Sequence, residues 1–196
     1  FLQRLWSFVD RLAPVHNSLK ANVLFHRLAF DRSQGIYNKA RFMRYIQLPR
    51  NNSYVNPKYL RDLKTRRHLA DLRRDYSAYT MHSVIGNDEP LVRDYFHHFF
   101  VKETTFKPYE RFVSDYYLKR RFAETKIVNG LGDVERWFSM LTPTEYKRLK
   151  ERVDLDFSPA NKTLFGPEEA VQVDLNVKNV KSLIVKVYHI HARNYY

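Results

Sequence analysis

The stretch Glu168-Glu169-Ala170-Val171-Gln172-Val173-Asp174-Leu175-Asn176-Val177 (168–177) is where the rhythm of this sequence changes. Upstream of it, apolar residues recur every three or four positions. From Val171 they alternate: Val171, Val173, Leu175 and Val177 fall against Gln172, Asp174 and Asn176. Side chains that change face at every step belong to a half-buried strand. Lys178 to Ser182 reads as a turn, and Leu183 to Ile190 as a second strand with Leu183, Val185 and Val187 on one face. Two such runs with a short polar link predict a β-hairpin. A lone hairpin is marginal in water, so this one is expected to begin a β-sandwich module, and the chain to be a piece of a larger protein. The expected fold class is α+β. A helical domain packed by aromatics covers 1–157, and the start of the β-sandwich module covers 158–196.

Working back from that switch, helical patterns dominate. Leu2, Leu5, Trp6, Val9 and Leu12 form an amphipathic stripe that Pro14 stops. Asn17 or Ser18 is placed to cap a second helix with Leu19, Val23, Leu24 and Leu28 inward. Phe42, Tyr45 and Ile46 mark a third over about 38–47, residues 50–60 read as loop, and the leucines at 60, 63, 69 and 72 suggest a helix over 61–78. Asp88 is expected to cap a helix with Pro90 in its first turn and Leu91, Val92, Tyr95, Phe96, Phe99 and Phe100 as its apolar stripe. Lys107-Pro108 is expected to open a helix reaching Thr125, with Tyr109, Phe112, Val113, Tyr116 and Tyr117 inward. Asp133 starts a short helix, and Thr142-Pro143-Thr144-Glu145 is a capping box.

Composition narrows the function. The chain has 196 residues with 34 Lys+Arg against 21 Asp+Glu, a net charge of +13. Such a surface attracts polyanions or an acidic partner. Cys is absent, which excludes disulfides, thiolate nucleophiles and Cys-ligated zinc. No run approaches the roughly 18 consecutive apolar residues of a membrane span. The carboxylates are scattered, and no Gly-x-Ser-x-Gly, Walker or His-Glu-x-x-His motif occurs. No catalytic residue and no cofactor are expected.

Two features stay open as binding sites. Arg66, Arg67, Arg73 and Arg74 form one basic cluster, within the run from Arg61, and Lys119, Arg120 and Arg121 form another; aromatics are interleaved with both. That mixture suits RNA or another polyanion. It equally suits core aromatics flanked by arginines whose aliphatic stems cover them. His189 and His191 would share a strand face and could hold a metal if a third ligand joined them. His97 and His98 point about 100° apart on a helix, one toward the core and one on its rim. Asn51 and Asn161 begin Asn-x-Ser/Thr triplets in expected loops.

VDLNVKNVKSLIVKVYHIHARNYY (173–196) resembles the strand pair that opens a macroglobulin-type module. HNSLKANVLFHRLAFDRSQGIYNKARFMRYIQLPR (16–50), IGNDEPLVRDYFHHFF (85–100), FAETKIVNGLGDVERWFSML (122–141) and LKERVDLDFSPANKT (149–163) resemble a helical region preceding such modules in very large bacterial-type multidomain proteins. Residues 50–82 match least, and His189 and His191 depart from the relatives' text. The resemblance implies scaffolding by β-sandwich modules. A Cys–Gln thioester is ruled out by the absence of Cys. The expected function is therefore a non-catalytic structural and interaction segment of a macroglobulin-like protein, with other domains of the same polypeptide as partners. The alternative is a basic RNA- or polyanion-binding scaffold of a ribonucleoprotein assembly.

Overall fold

A computed structural model of the chain describes residues 1–189, leaving aside the side chains of Leu63 and Lys64. Helices α1 (Leu2–Val9), α2 (Asn17–Ser33) and α3 (Lys39–Gln47) form the first part. Short helices α4 (Pro57–Arg61), α5 (Leu63–Arg66) and α6 (Ser77–Thr80) follow. Next come α7 (Glu89–Lys102), α8 (Asp115–Val128), α9 (Val134–Phe138) and α10 (Pro143–Glu151). Strands β1 (Asp154–Phe157) and β2 (Leu175–Lys178) close the described chain. No described helix is long and apolar enough to cross a membrane.

The core is aromatic and centres on α7, as the stripe of that helix predicts. Leu91, Val92, Tyr95, Phe96, Phe99 and Phe100 are all buried. Phe42 of α3 stacks on Tyr95 at 5.1 Å and meets Phe96 edge-on at 5.0 Å. Phe100 meets Phe122 of α8 at 5.1 Å, and Phe122 meets Trp137 of α9 at 5.4 Å. Fully burying one such ring contributes about 1.5–3 kcal/mol, and edge-to-face geometry adds to it.

Helix ends follow local chemistry. Gly35 takes φ +69° and closes α2 in a Schellman motif: its N–H donates to Arg32 O, and that of Ile36 to Asp31 O. The Asn38 side chain caps α3 through the Arg41 N–H. The Thr142–Glu145 capping box is formed in both directions.

Two expected caps are spent elsewhere. The Asn17 Nδ2 donates to His68 O at 2.8 Å, and the Ser18 hydroxyl accepts from the Asp71 N–H at 2.9 Å. They fasten the 68–71 loop onto α2 instead of capping it. Asp88 makes no side-chain cap for α7. Its carboxylate is buried against Arg50, described below.

Three spans depart from the sequence expectation. Helix over 61–78 is interrupted, because the chain past α5 gives its backbone groups to distant partners: the Ala70 N–H to Pro49 O, and Leu72 O to the Gly86 N–H. Helix α4 lies in the span expected to be loop. The long helix over 107–125 is instead a 3-10 turn at Lys107–Tyr109 followed by α8. Between them, Val113 bridges Val55, and the Ser114 N–H donates to Tyr54 O at 2.8 Å. Tyr116, expected inward, is 65% exposed.

The β-region differs most. β2 covers only the second half of the expected strand and pairs antiparallel with β1, Asp154 opposite Lys178 and Phe157 opposite Leu175. Residues 183–189 are in no strand, and Ile190 lies outside the described residues. The expected hairpin between 171–177 and 183–190 is therefore replaced by a two-stranded ribbon, and the described residues form no β-sandwich. The α+β class stands. The ribbon is tied to α10 by Lys178, whose ammonium donates to Leu149 O at 2.5 Å and Arg152 O at 2.9 Å. Asn179, at φ +55°, adds bonds from its amide to Lys150 O and Arg152 O. A cation at a helix C-terminus satisfies orphan carbonyls and the macrodipole together. Asn161 also braces the ribbon, exchanging two bonds with the Asp174 backbone.

Candidate functional site

The two basic clusters have opposite fates. Lys119 pairs with Asp115 at 2.7 Å, Arg120 with Glu145 at 3.2 Å and Arg121 with Glu124 at 2.6 Å. Arg121 also lies over the Tyr117 ring. This cluster is neutralised by its own neighbours, two of the pairs lying within α8 and Arg120–Glu145 joining α8 to α10. Arg66, Arg67, Arg73 and Arg74 make no ion pair among the described residues, and all four are exposed. Arg74 rests over the Tyr76 ring at 5.4 Å. They lie on one nine-residue stretch, 66–74, so their charges add where those of α8 cancel.

That stretch is rigid because of what holds its middle. His68 O is fixed by Asn17, Asp71 by Ser18 and Ala70 by Pro49. Ala70 and Leu72 are buried. The arginines are thus carried on a stretch whose backbone is anchored at His68, Ala70, Asp71 and Leu72. Beside it opens a cleft of about 600 Å³ lined by Pro14, Asn17, Pro49, Tyr59, Thr65, Arg67 and His68.

Next to Pro49 in the chain, Arg50 centres a polar network in which Arg50, Tyr45, Tyr54 and Asp88 are buried and Asn52 is half-buried. The Arg50 Nε donates to Asp88 Oδ2 at 2.8 Å, and its Nη1 donates to Tyr45 O and Leu48 O. Tyr45 and Tyr54 donate their hydroxyls to the same carboxylate at 2.7 and 2.6 Å, and Asn52 supplies an amide at 2.7 Å. Burial pushes both tyrosine pKa values well up, so the phenols stay protonated donors. A charge this deep is tolerable only when paired and saturated with hydrogen bonds. The network fixes Pro49, one wall of the cleft, against the start of α7.

Among the described residues the histidines gather no metal site. His189 is exposed, His191 lies outside the described residues, and no group of three or more His, Cys, Asp or Glu could hold an ion among the described residues. His97 and His98 are both at the surface: His97 faces the Thr125 hydroxyl at 3.2 Å and His98 stacks on Tyr37 at 3.9 Å. Sequence spacing gave no signal for a different pair. His26 of α2 and His82, just past α6, stack at 4.6 Å. His26 reaches Ser83 O at 2.8 Å, and His82 Nε2 is buried without a partner among the described residues. Burial, then His26, holds the His82 pKa below the usual imidazole range.

Comparison with known proteins gives the family. A family model described as Actin-binding protein F N-terminal domain matches residues 1–153. Actin-binding protein F of Dictyostelium discoideum is 31% identical over 198 residues, an alignment covering 100% of this chain and 8% of that protein. No solved structure matches. These matches overturn the macroglobulin-like resemblance, the structural role inferred from it, and the RNA-binding alternative. The resemblance rested on alternating text after Val171. Such text marks any strand with one face exposed, and here it yields four residues of a ribbon.

Proposed function

The chain belongs to the Actin-binding protein F N-terminal domain family, and from that premise we propose that it is an actin-binding module. It acts by binding rather than by catalysis. The contact face is the arginine loop with Arg66, Arg67, Arg73 and Arg74, and the partner surface opposite is acidic. The observation that carries this is the contrast between the two clusters: the loop arginines have no carboxylate among the described residues, whereas Lys119, Arg120 and Arg121 each have one. Unpaired charge on a fixed loop is free to meet a complementary potential, steering encounter and fixing register. The chain spans 8% of the curated relative's length, and other parts of a longer polypeptide are a second class of partner.

Co-sedimentation of the 196-residue chain with filamentous actin tests the reading. Binding is expected to weaken as salt rises, since exposed charges are screened within about 10 Å at 0.1 M salt. Reversing the loop charges (Arg66→Glu, Arg67→Glu, Arg73→Glu and Arg74→Glu together) should weaken it about tenfold or more. Neutralising Lys119 and Arg120 to Gln should leave it within about threefold. Absence of sedimentation with filaments at low salt refutes the proposal.

A further inference from the structure

The cleft beside the arginine loop has a chemistry of its own. Pro14, Pro49 and Tyr59 are its apolar lining residues, and Asn17, Thr65, Arg67 and His68 its polar ones. No carboxylate lines it. Neither the Arg67 nor the His68 side chain has a hydrogen-bond or ion-pair partner among the described residues, although both sit on a chain segment whose backbone is pinned. The walls are held from behind: the Tyr59 hydroxyl donates to Gln47 O at 2.6 Å, Asn17 holds His68 O, and the Ala70 N–H holds Pro49 O at 2.7 Å. At about 600 Å³ the space falls within the roughly 300–1,000 Å³ of ligand sites.

We propose that this cleft is a receptor for the carboxylate side chains of an acidic peptide segment. The proposal rests on the actin reading for the owner of that segment and on the cleft's own residues for the ligand class. A planar guanidinium matches a carboxylate fork in two parallel bonds. The imidazole offers a second donor. The proline and tyrosine rings then cover the methylene stem of a Glu side chain, which a bare inorganic anion lacks. Preformed walls reduce the ordering cost of binding.

The test is an NMR titration of the isotope-labelled 196-residue chain with three probes: N-acetyl-tetraglutamate amide, N-acetyl-tetraglutamine amide and inorganic phosphate. The glutamate peptide is expected to shift Tyr59, Thr65, Arg67 and His68 saturably, and the other two probes far less. Arg67→Gln should weaken the peptide about tenfold or more, while Lys119→Gln should not change it. The proposal is overturned if the glutamine peptide or phosphate binds as well, if the shifts map to α8, or if Arg67→Gln has no effect. Filament sedimentation on the same samples separates the two readings. Peptide binding without filament binding removes the actin reading alone. Filament binding with a cleft silent to peptide removes the cleft alone.

Discussion

Arg50 and Asp88 meet at 2.8 Å with side-chain exposures of 1% and 0%, joining the loop after α3 to the start of α7 across 38 residues of sequence. Both ions are saturated. Removing one partner strands the other in the core. Arg50→Ala should therefore destabilise the fold by about 3–5 kcal/mol, read as a lower urea midpoint. Asp88→Ala should cost a similar amount. The double variant should cost clearly less than the sum of the two. Additive losses would show that the pair is not coupled.

The stacked His26 and His82 make the docking of α6 depend on pH. A free imidazole takes up its proton near pH 6.5, whereas docked His82, held lower by burial and then by His26, resists protonation. Between those values the undocked form binds more protons, so docking is full above the window and weakens as pH falls through it. The groups facing His82 are His26 from α2 and the Phe1 ring at the start of α1. Amide exchange over Ser77–Ser83, corrected for intrinsic rates, should speed up from about pH 7.5 to about 5.5. In His82→Phe the corrected rates should stay flat. Flat rates in the unchanged protein would contradict the effect.

Asn17 and Ser18 anchor the arginine loop rather than start a helix. Ser18→Ala should cost about 1 kcal/mol, the net worth of one hydrogen bond. It should also make the bonds after Arg66, Arg67, Arg73 and Arg74 more sensitive to trypsin, with α2 helicity kept. Loss of α2 with no change in cleavage would contradict this assignment.

At Thr142 the prediction is the ordinary one for a capping box. Thr142→Ala should cost about 0.5–2 kcal/mol, and Thr142→Ser almost nothing. Thermal melts of the two variants decide it. The Glu145 carboxyl, held below the usual range first by the Thr142 backbone N–H, lends that bond stability above about pH 4.3. The contribution is lost as pH falls through its lowered value.

Local signals were readable where the residues act on near neighbours. The α7 stripe and the Thr142 box both emerge in place, because each depends on residues within a turn or two. Readings failed where a polar side chain serves a distant segment. Asn17, Ser18 and Asp88 have the chemistry of caps, yet each spends it more than thirty residues away. The leucines at 60, 63, 69 and 72 suggested one face. Leu69 is 36% exposed while Leu72 is buried, because backbone pairing at Ala70 turns the chain. The basic clusters were identifiable as clusters, but sequence could not tell that Arg120 meets Glu145 of α10 while the loop arginines meet no carboxylate among the described residues. The pairing of β2 with β1 skips seventeen intervening residues, which a search for adjacent strands passes over.

Lys178 plugs the open end of α10 from a strand that lies past the family match, which stops at residue 153. A polypeptide trimmed to that match would lose its plug along with β1 and β2, and the last turn of α10 would fray into water. The practical unit for expression and labelling therefore reaches at least to Asn179, the residue that secures the same carbonyls from the other side.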